Sequence, residues 1–117
     1  MVLGMNTYQS GLFAEFWARM YLRMRGYRIL RRRYITGRNT GRAEIDIIAR
    51  HKNVIVFIEV KRRPNVTAGW DAITPAQAVR LRRAAETYLS RLPRPYDARF
   101  DVIIVCGLRI YHARGAI

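Results

Sequence analysis

Acidic residues are scarce in this sequence: eight aspartates and glutamates stand against twenty-two lysines and arginines, which gives a formal net charge of +14. A strongly basic protein attracts anionic partners. Almost all of the positive charge is arginine, whose planar guanidinium contacts phosphate oxygens in pairs, so nucleic acid is the leading candidate partner. An anionic lipid surface and an acidic protein are the alternatives.

Other scarce features exclude further classes. The single cysteine, Cys106, cannot form an internal disulfide, and the two histidines, His51 and His112, are too isolated to indicate a zinc site. No segment has the roughly 18 consecutive apolar residues of a membrane span, and Met1–Met5 lacks the apolar stretch of a signal peptide. We therefore expect a cytoplasmic protein without membrane association.

The sequence does contain enough apolar material for a core. Half of the 117 residues are hydrophobic, and a chain of this length can bury about 65% of the surface that its unfolded form would expose. No stretch is low in complexity, and none resembles a linker. We expect a single domain over residues 1–117.

Hydrophobic periodicity predicts the element order α-β-β-β-α-β-β. The first helix covers about Tyr8–Arg25 and stops at Gly26, and the second begins at Thr74 and Pro75 and runs to about Leu92. Residues around Gly69–Asp71 are expected to form a loop. The predicted strands are Tyr27–Ile35, Ala43–Ala49, Val54–Lys61, Arg99–Val105 and Leu108–His112. This order indicates an α/β or α+β fold with a central mixed five-stranded sheet flanked by helices.

Three of the eight acids lie within the second and third strands, which are otherwise apolar on both faces. A carboxylate in such a strand loses several kcal/mol of hydration unless it is paired, hydrogen-bonded or bound to a cation. Side-chain alternation places Glu59 with Lys61 on one face, and Glu44 with Asp46 on one face. A connecting loop with an even number of residues brings all four to the same side of the sheet, whereas an odd loop splits them.

Convergence of Asp46 and Glu59 predicts a site for Mg²⁺ or Mn²⁺, because these cations prefer oxygen ligands and Mg²⁺ keeps several waters. One such water would be the nucleophile, and Lys61 would lower the pKa of that water or neutralise charge developing on a phosphate. The alternative is an ordinary ion pair between Glu59 and Lys61, with Asp46 bound to an arginine. Four polar groups gathered on one apolar face of a basic protein favour the metal site.

Residues from several predicted elements match a known pattern: Gly11 and Glu15 in the first helix, Glu44–Asp46, Phe57–Lys61 and Phe100–Asp101. In these residues the chain resembles the YraN-like family of uncharacterised bacterial proteins. That family is similar to Holliday-junction resolvases within the PD-(D/E)XK nuclease superfamily, and the resemblance covers nearly the whole chain. It implies a restriction-endonuclease-like fold.

The resemblance also implies roles for individual residues. Asp46 and Glu59 are the expected metal ligands, the backbone carbonyl of Val60 is a third, and Lys61 is the expected catalytic lysine. The other implied site members are Glu15, an auxiliary acid from the first helix, Gln77, which orients the attacking water, and Glu44, a further ligand or a salt-bridge partner.

Two surfaces are candidates for binding partners. The aromatic side of the first helix, formed by Phe13, Phe16, Trp17 and Met20, would be left as a homodimer surface if the opposite side of the helix faces the sheet. Trp70 would either stack on a base or close the edge of the core. The arginines expected to contact nucleic acid are Arg31, Arg32, Arg33, Arg38, Arg42, Arg62 and Arg63.

The sequence therefore predicts a metal-dependent endonuclease-like protein that hydrolyses DNA phosphodiester bonds, including those of branched or junction DNA. A non-catalytic nucleic-acid-binding module that retains the nuclease fold is the main rival hypothesis. It predicts salt-sensitive binding without cleavage. An adaptor that uses its basic face on an acidic protein is the third.

Overall fold

A computed structural model describes residues 6–37 and 42–117 of the chain. Arg38, which is predicted to contact nucleic acid, lies outside the described residues. The elements, in chain order, are α1 (Thr7–Met24), β1 (Arg28–Thr36), β2 (Ala43–His51), β3 (Val54–Arg62), α2 (Val66–Asp71), α3 (Pro75–Ser90), β4 (Asp97–Cys106) and β5 (Arg109–Ala113).

The strands form one sheet in the order β1-β2-β3-β4-β5. All neighbours are antiparallel except β3 and β4, which are parallel because the chain crosses over between them through α2 and α3. The predicted fold class is confirmed: the protein is α+β, with a mixed five-stranded sheet flanked by helices.

The short helix α2 replaces the loop predicted around Gly69–Asp71. Asn65 begins the helix by accepting a hydrogen bond from the Ala68 amide. Gly69 then packs so closely against Ile104 of β4 that an added Cβ would lie 2.6 Å from that side chain. Periodicity could not predict α2, because six residues are too few to reveal a helical repeat.

Each face of the sheet carries its own apolar cluster. On one face Ala14, Ala18 and Leu22 of α1 pack against side chains that include Ile58 and Ile103. On the other face Leu81, Ala84 and Ala85 of α3 pack against a cluster that includes Ile48, Ile55 and Phe57. The strands β2 and β3 are therefore covered on both sides, which is why their sequences are apolar on both faces.

Helix α1 has defined ends. The side chains of Asn6 and Gln9 form a reciprocal capping box at its start. At its end Gly26 adopts φ 87, a backbone conformation that suits glycine and stops the helix. Because the small residues of α1 face the sheet, the other side of this helix is directed away from the core.

Only part of that aromatic side is exposed. Trp17 donates a hydrogen bond from Nε1 to the Leu108 carbonyl, and the ring of Phe13 lies 5.1 Å below the Arg62 guanidinium. Phe16 stays 52% exposed. The exposed line is completed by Tyr8, Leu12 and Met24. The homodimer surface on α1 stays a prediction, with Phe16 as the most exposed of its four predicted residues.

Candidate active site

The hairpin between β2 and β3 brings two carboxylates together. Its turn contains two residues, Lys52 and Asn53, so the loop has the even length on which the interpretation depends. The paired residues run from His51 and Val54 to Ile47 and Ile58, and the next positions in this register are Asp46 and Glu59. Backbone pairing stops at that point, and the two strands separate where the acids lie.

Asp46 lies at an irregular point of β2. Ile45 belongs to the cluster on the α3 face and Ile47 to the cluster on the α1 face, so the strict alternation of side chains is interrupted between them. Such interruptions re-aim a side chain. The carboxylate of Asp46 enters the gap between the strands, where its Oδ2 accepts a 2.8 Å hydrogen bond from the Val60 amide.

Glu59 is held from two directions on the α3 face. Its Oε1 lies 3.2 Å from Nζ of Lys61, and it accepts a 3.1 Å hydrogen bond from Nε2 of Gln77. Gln77 reaches this point because Thr74 caps α3 through the Gln77 amide, which fixes Gln77 in the first turn of that helix. Glu59 itself is 5% exposed.

The two carboxylates are poorly compensated for their burial. Burial raises the pKa of Asp46 well above its ordinary value, and the negative charge of Glu59 raises it further, against the opposing Val60 amide. Burial also raises the pKa of Glu59, opposed chiefly by the positive charge of Lys61. Two adjacent carboxylates in one buried site resist full ionisation. Asp46 therefore tends to keep a proton that it can share with Glu59.

Glu15 lies next to this pair but is already bound. Arg33 donates to both of its carboxylate oxygens, at 2.9 and 3.2 Å. The negative charge of Glu15 nevertheless contributes to the raised pKa of Asp46. Glu15 also lines a cavity of about 390 Å³ between the start of α1 and the end of β3. The other lining residues are Asn6, Thr7, Ser10, Gly11, Ala14, Val60, Lys61, Arg62 and Arg63.

Sequence reasoning missed the polar wall of this cavity. Asn6, Thr7 and Ser10 lie at the start of α1, before the apolar repeat that identifies the helix, and the only available signal was the capping pattern of Asn6. The backbone of the first turn thus lies opposite the end of β3. A helix N-terminus attracts negative charge through its amide groups, as does the nearby Lys61.

Glu44 lies apart from the pair, so the predicted gathering of all four polar groups on one face is wrong: its neighbours Ala43 and Ile45 face α3, and Glu44 points to the opposite side of the sheet. Its side chain is exposed, and its Oε2 is 3.9 Å from a guanidinium nitrogen of Arg42. An exposed pair at this distance contributes about 0–1 kcal/mol. Its charge nevertheless has a weak upward effect on the pKa of Glu59. This geometry favours the second of the two roles implied for Glu44, that of a salt-bridge partner.

The predicted nucleic-acid contacts fall into different settings. Arg31, Arg32 and Arg63 are exposed, whereas Arg33 is bound to Glu15. The guanidinium of Arg62 lies against Phe13, and its Nη1 is buried without a hydrogen-bond partner among the described residues. Arg42 is exposed as well, so the exposed members lie on β1, directly before β2 and directly after β3.

Trp70 is 39% exposed on α2. Gly69 packs on Ile104, and Ile104 is the partner of Lys61 in the parallel pairing of β3 and β4. The side chains of paired residues in neighbouring strands point to the same face, so α2 lies on the face of the sheet that carries Lys61. This exposure and position are compatible with base stacking, which stays a prediction.

The oxygen atoms at the pair fit a hard divalent cation. Among residues 6–37 and 42–117 no group of three or more histidine, cysteine, aspartate or glutamate side chains could hold a metal ion. Mg²⁺ needs fewer protein ligands than that, because it usually takes one or two carboxylates and keeps several waters. The raised pKa values of Asp46 and Glu59 are what a nearby cation would reverse.

Together the fold and the site define an α+β protein with a mixed sheet, in which two facing carboxylates, a lysine and a glutamine meet where two central strands separate. Residues 14–105 match the family described as "Uncharacterised protein family UPF0102". The chain belongs to this family, as the YraN-like resemblance predicted.

Relatives of the same name support this membership. A UPF0102 protein of Paramagnetospirillum magneticum is 36% identical over 104 residues, which cover 87% of this chain and 81% of the relative. One of Bradyrhizobium diazoefficiens is 39% identical over 101 residues, with coverages of 85% and 73%. One of Agrobacterium fabrum is 41% identical over 104 residues, with coverages of 87% and 82%.

The described residues contain three helices. None of them is both long enough and apolar enough to cross a membrane.

Proposed function

We propose that this protein is a metal-dependent endonuclease that hydrolyses phosphodiester bonds of DNA. The observation that carries the proposal is the pair of facing carboxylates, Asp46 and Glu59, at the separation of β2 and β3, with Lys61 3.2 Å from Glu59. Two oxygen-donor acids, a lysine and a basic surface are the components that metal-assisted phosphodiester hydrolysis requires.

Asp46 and Glu59 would hold the cation, together with the backbone carbonyl of Val60. In an extended strand the amide and carbonyl of one residue point to the same side. Since the Val60 amide points to Asp46, the Val60 carbonyl is expected on that side as well. A bound Mg²⁺ or Mn²⁺ would activate a water molecule and stabilise charge on the phosphate.

The other residues would act on the substrate and the water. Lys61 would neutralise charge that develops on the phosphate, and Gln77 would orient the attacking water through its amide, which lies 3.1 Å from Glu59. Glu15 would act as an auxiliary acid at the wall of the 390 Å³ cavity, as long as Arg33 holds it in place. The exposed arginines on β1, before β2 and after β3 would contact the DNA backbone.

The test compares Asp46→Asn with the unchanged protein on labelled DNA, with Mg²⁺, Mn²⁺ or a chelator. We expect metal-dependent cleavage by the unchanged protein and a loss of at least about a thousandfold in the variant, because the metal is then poorly held. The DNA panel contains linear duplex, single-stranded, flapped and four-way forms, so the same assay reports whether branched or junction DNA is preferred.

Glu86→Gln is the matched control, because Glu86 is an exposed acid of α3. It removes one negative charge without touching the pair, and cleavage should be unchanged. Both variants should bind DNA in the presence of a chelator. Cleavage that survives in Asp46→Asn at the normal rate would remove the proposed mechanism.

A non-catalytic nucleic-acid-binding module is the second candidate. Two observations favour it: Lys61 is already paired with Glu59, and among the described residues no third acidic or histidine side chain completes a metal-binding group with Asp46 and Glu59. This alternative predicts binding that weakens steeply with salt, since phosphate contacts release counterions. It also predicts no cleavage of any DNA form with either metal.

A further inference from the structure

Arg19 is a largely buried arginine on α1 without an acidic partner. It is only 8% exposed, and among the described residues no carboxylate lies within 4.0 Å of its guanidinium. Burial lowers the pKa of Arg19 and repulsion from Arg32 lowers it further, while the negative charge of Glu15 opposes both. Its nitrogens are not among the buried side-chain atoms that lack a hydrogen-bond partner, so the tip of the guanidinium still reaches solvent, 6.0 Å from the ring of Phe16. Arg19 is thus a buried stem that carries an accessible cation with no acidic side chain of the described residues bound to it.

The guanidinium of Arg19 borders a second cavity, of about 250 Å³, which we name the Arg19 pocket. Its lining residues are Leu12, Glu15, Arg19, Arg32 and Arg33. Three arginines and one glutamate thus line the pocket, and both carboxylate oxygens of Glu15 are already occupied by Arg33. The lining therefore has a positive charge that the protein itself does not neutralise.

We propose that the Arg19 pocket binds a phosphate group of a nucleic-acid backbone. Guanidinium groups recognise phosphate oxygens through paired donors, and a nearly buried arginine offers its donors at little further cost in side-chain entropy. Arg19 comes from α1 and Arg32 from β1, so the pocket lies between two elements that the core holds together. This proposal rests on the proposed function, because it assigns a second contact to the same substrate.

The position of Glu15 links the pocket to the candidate active site. Glu15 lines both the 250 Å³ Arg19 pocket and the 390 Å³ cavity that contains Lys61. A strand whose reacting phosphate lies beside Lys61 would then place a neighbouring phosphate beside Arg19. In this arrangement Arg19 is a positioning residue, which fixes the register of the strand but does not touch the reacting atoms.

The experiment compares Arg19→Met with Arg23→Met. Arg23 is an exposed arginine on the same helix and does not line the pocket, so both variants lose the same charge. Binding of a fluorescent DNA oligonucleotide is measured by anisotropy in a chelator at several salt concentrations. We expect Arg19→Met to weaken binding about tenfold and to reduce the salt slope by about one. The DNA affinity of Arg23→Met should stay within about twofold of that of the unchanged protein. Equal losses of affinity in the two variants would contradict phosphate binding in the Arg19 pocket.

Thermal unfolding in a phosphate-free buffer separates binding from a structural role. If Arg19 is present for an anion, its replacement by methionine removes a charge that no acidic side chain of the described residues binds and keeps an apolar stem in the core, so the unfolding temperature should stay equal or rise. A lower unfolding temperature with unchanged DNA binding would show that Arg19 only supports the fold. Inorganic phosphate is the second probe: an effect as strong as that of the oligonucleotide would assign the pocket to free phosphate instead.

The outcome is independent of whether the protein cleaves DNA. If no DNA form is cleaved but Arg19→Met loses binding, the phosphate pocket stands and the nuclease proposal fails. If Asp46→Asn loses cleavage but Arg19→Met behaves like Arg23→Met, the nuclease proposal is supported and phosphate binding in the Arg19 pocket is contradicted. Where both stand, Arg19→Met should raise KM for cleavage and leave kcat nearly unchanged.

Discussion

The protein contains two buried acidic sites that differ in how their charge is satisfied. Asp101 on β4 is fully buried, and both of its oxygens are occupied: Arg99 donates to both at 2.8 and 2.9 Å, the Gly115 amide donates to one, and Nε2 of His112 lies 2.7 Å from the other. Asp46 and Glu59 instead face each other, with Lys61 as the only cation within 4.0 Å among the described residues.

The pKa values move in opposite directions as a result. Burial acts to raise the pKa of Asp101, but hydrogen bonds from His112, Arg99 and the Gly115 amide outweigh it and lower the pKa to about 2. At the other site burial and mutual repulsion raise the pKa of both Asp46 and Glu59. A carboxylate with a structural role is surrounded by hydrogen-bond donors, whereas a carboxylate that binds a ligand lacks some of these donors when the ligand is absent. This difference separates a structural carboxylate from a candidate functional one.

Asp101→Asn should produce the largest change in stability. It leaves the Arg99 guanidinium and His112 without their buried anion, and breaking such a pair costs about 3–5 kcal/mol. Chemical denaturation measures this directly at pH 7. The contrast is with Glu59→Gln, which removes a poorly compensated acid and should cost far less. Similar losses in the two variants would mean that the two sites do not differ as described.

The same acid should control the stability of the protein in acid. Its folded pKa of about 2 lies below the ordinary 3.8, so its stabilisation is complete above about pH 5 and is lost as pH falls toward 2. The shift corresponds to roughly 2–3 kcal/mol. Between pH 2 and 6 the free energy of unfolding should therefore rise more steeply with pH for the unchanged protein than for Asp101→Asn. Parallel curves would contradict the assignment.

Divalent cations should stabilise the folded protein by binding at Asp46 and Glu59, and not at Asp101. At ten times the dissociation constant, Mg²⁺ or Mn²⁺ should add about 1.4 kcal/mol to the free energy of unfolding. Asp46→Asn should lose this gain, and Glu86→Gln should keep it. The measurement is thermal unfolding with metal and with a chelator, without DNA. A gain that persists in Asp46→Asn would place the cation elsewhere on the protein.

The comparison also shows what sequence can and cannot predict. The sequence predicts that Asp46 and Glu59 converge if the loop between their strands is even, because strand alternation is a local property of consecutive residues, and the structure supplies the even loop, Lys52–Asn53. The same local rules gave the two main helices and the sheet class. The irregularity at Asp46 was not predictable, because it depends on where pairing with β3 stops.

Contacts between residues that are far apart in the chain could not be predicted from the sequence either. Tyr27 receives a hydrogen bond from Arg99, 72 positions away, and its ring stacks on His51 at 4.4 Å. Both histidines lie in this neighbourhood: His112 contacts Asp101, and His51 stacks on Tyr27. The pairing of Glu15 with Arg33 and the burial of Arg19 likewise depend on how α1 crosses β1. Periodicity fixes which side of a helix is apolar but not the opposite neighbours of each polar residue.

The smallest effect should come from Asp46→Asn without metal. Burial raises the pKa of Asp46, so the folded protein keeps this proton at pH values where the unfolded chain has lost it, and stability falls as pH rises through the raised pKa. Glu59 and Glu15 act on the group, Lys61 is paired with Glu59, and the repulsion from the two glutamates is what asparagine relieves. In a chelator the variant should therefore unfold at a slightly higher temperature than the unchanged protein at pH 7, and at the same temperature below about pH 4. A variant that is less stable at pH 7 would mean that Asp46, like Asp101, is held in its charged form by the fold, and the distinction between the two sites would be lost.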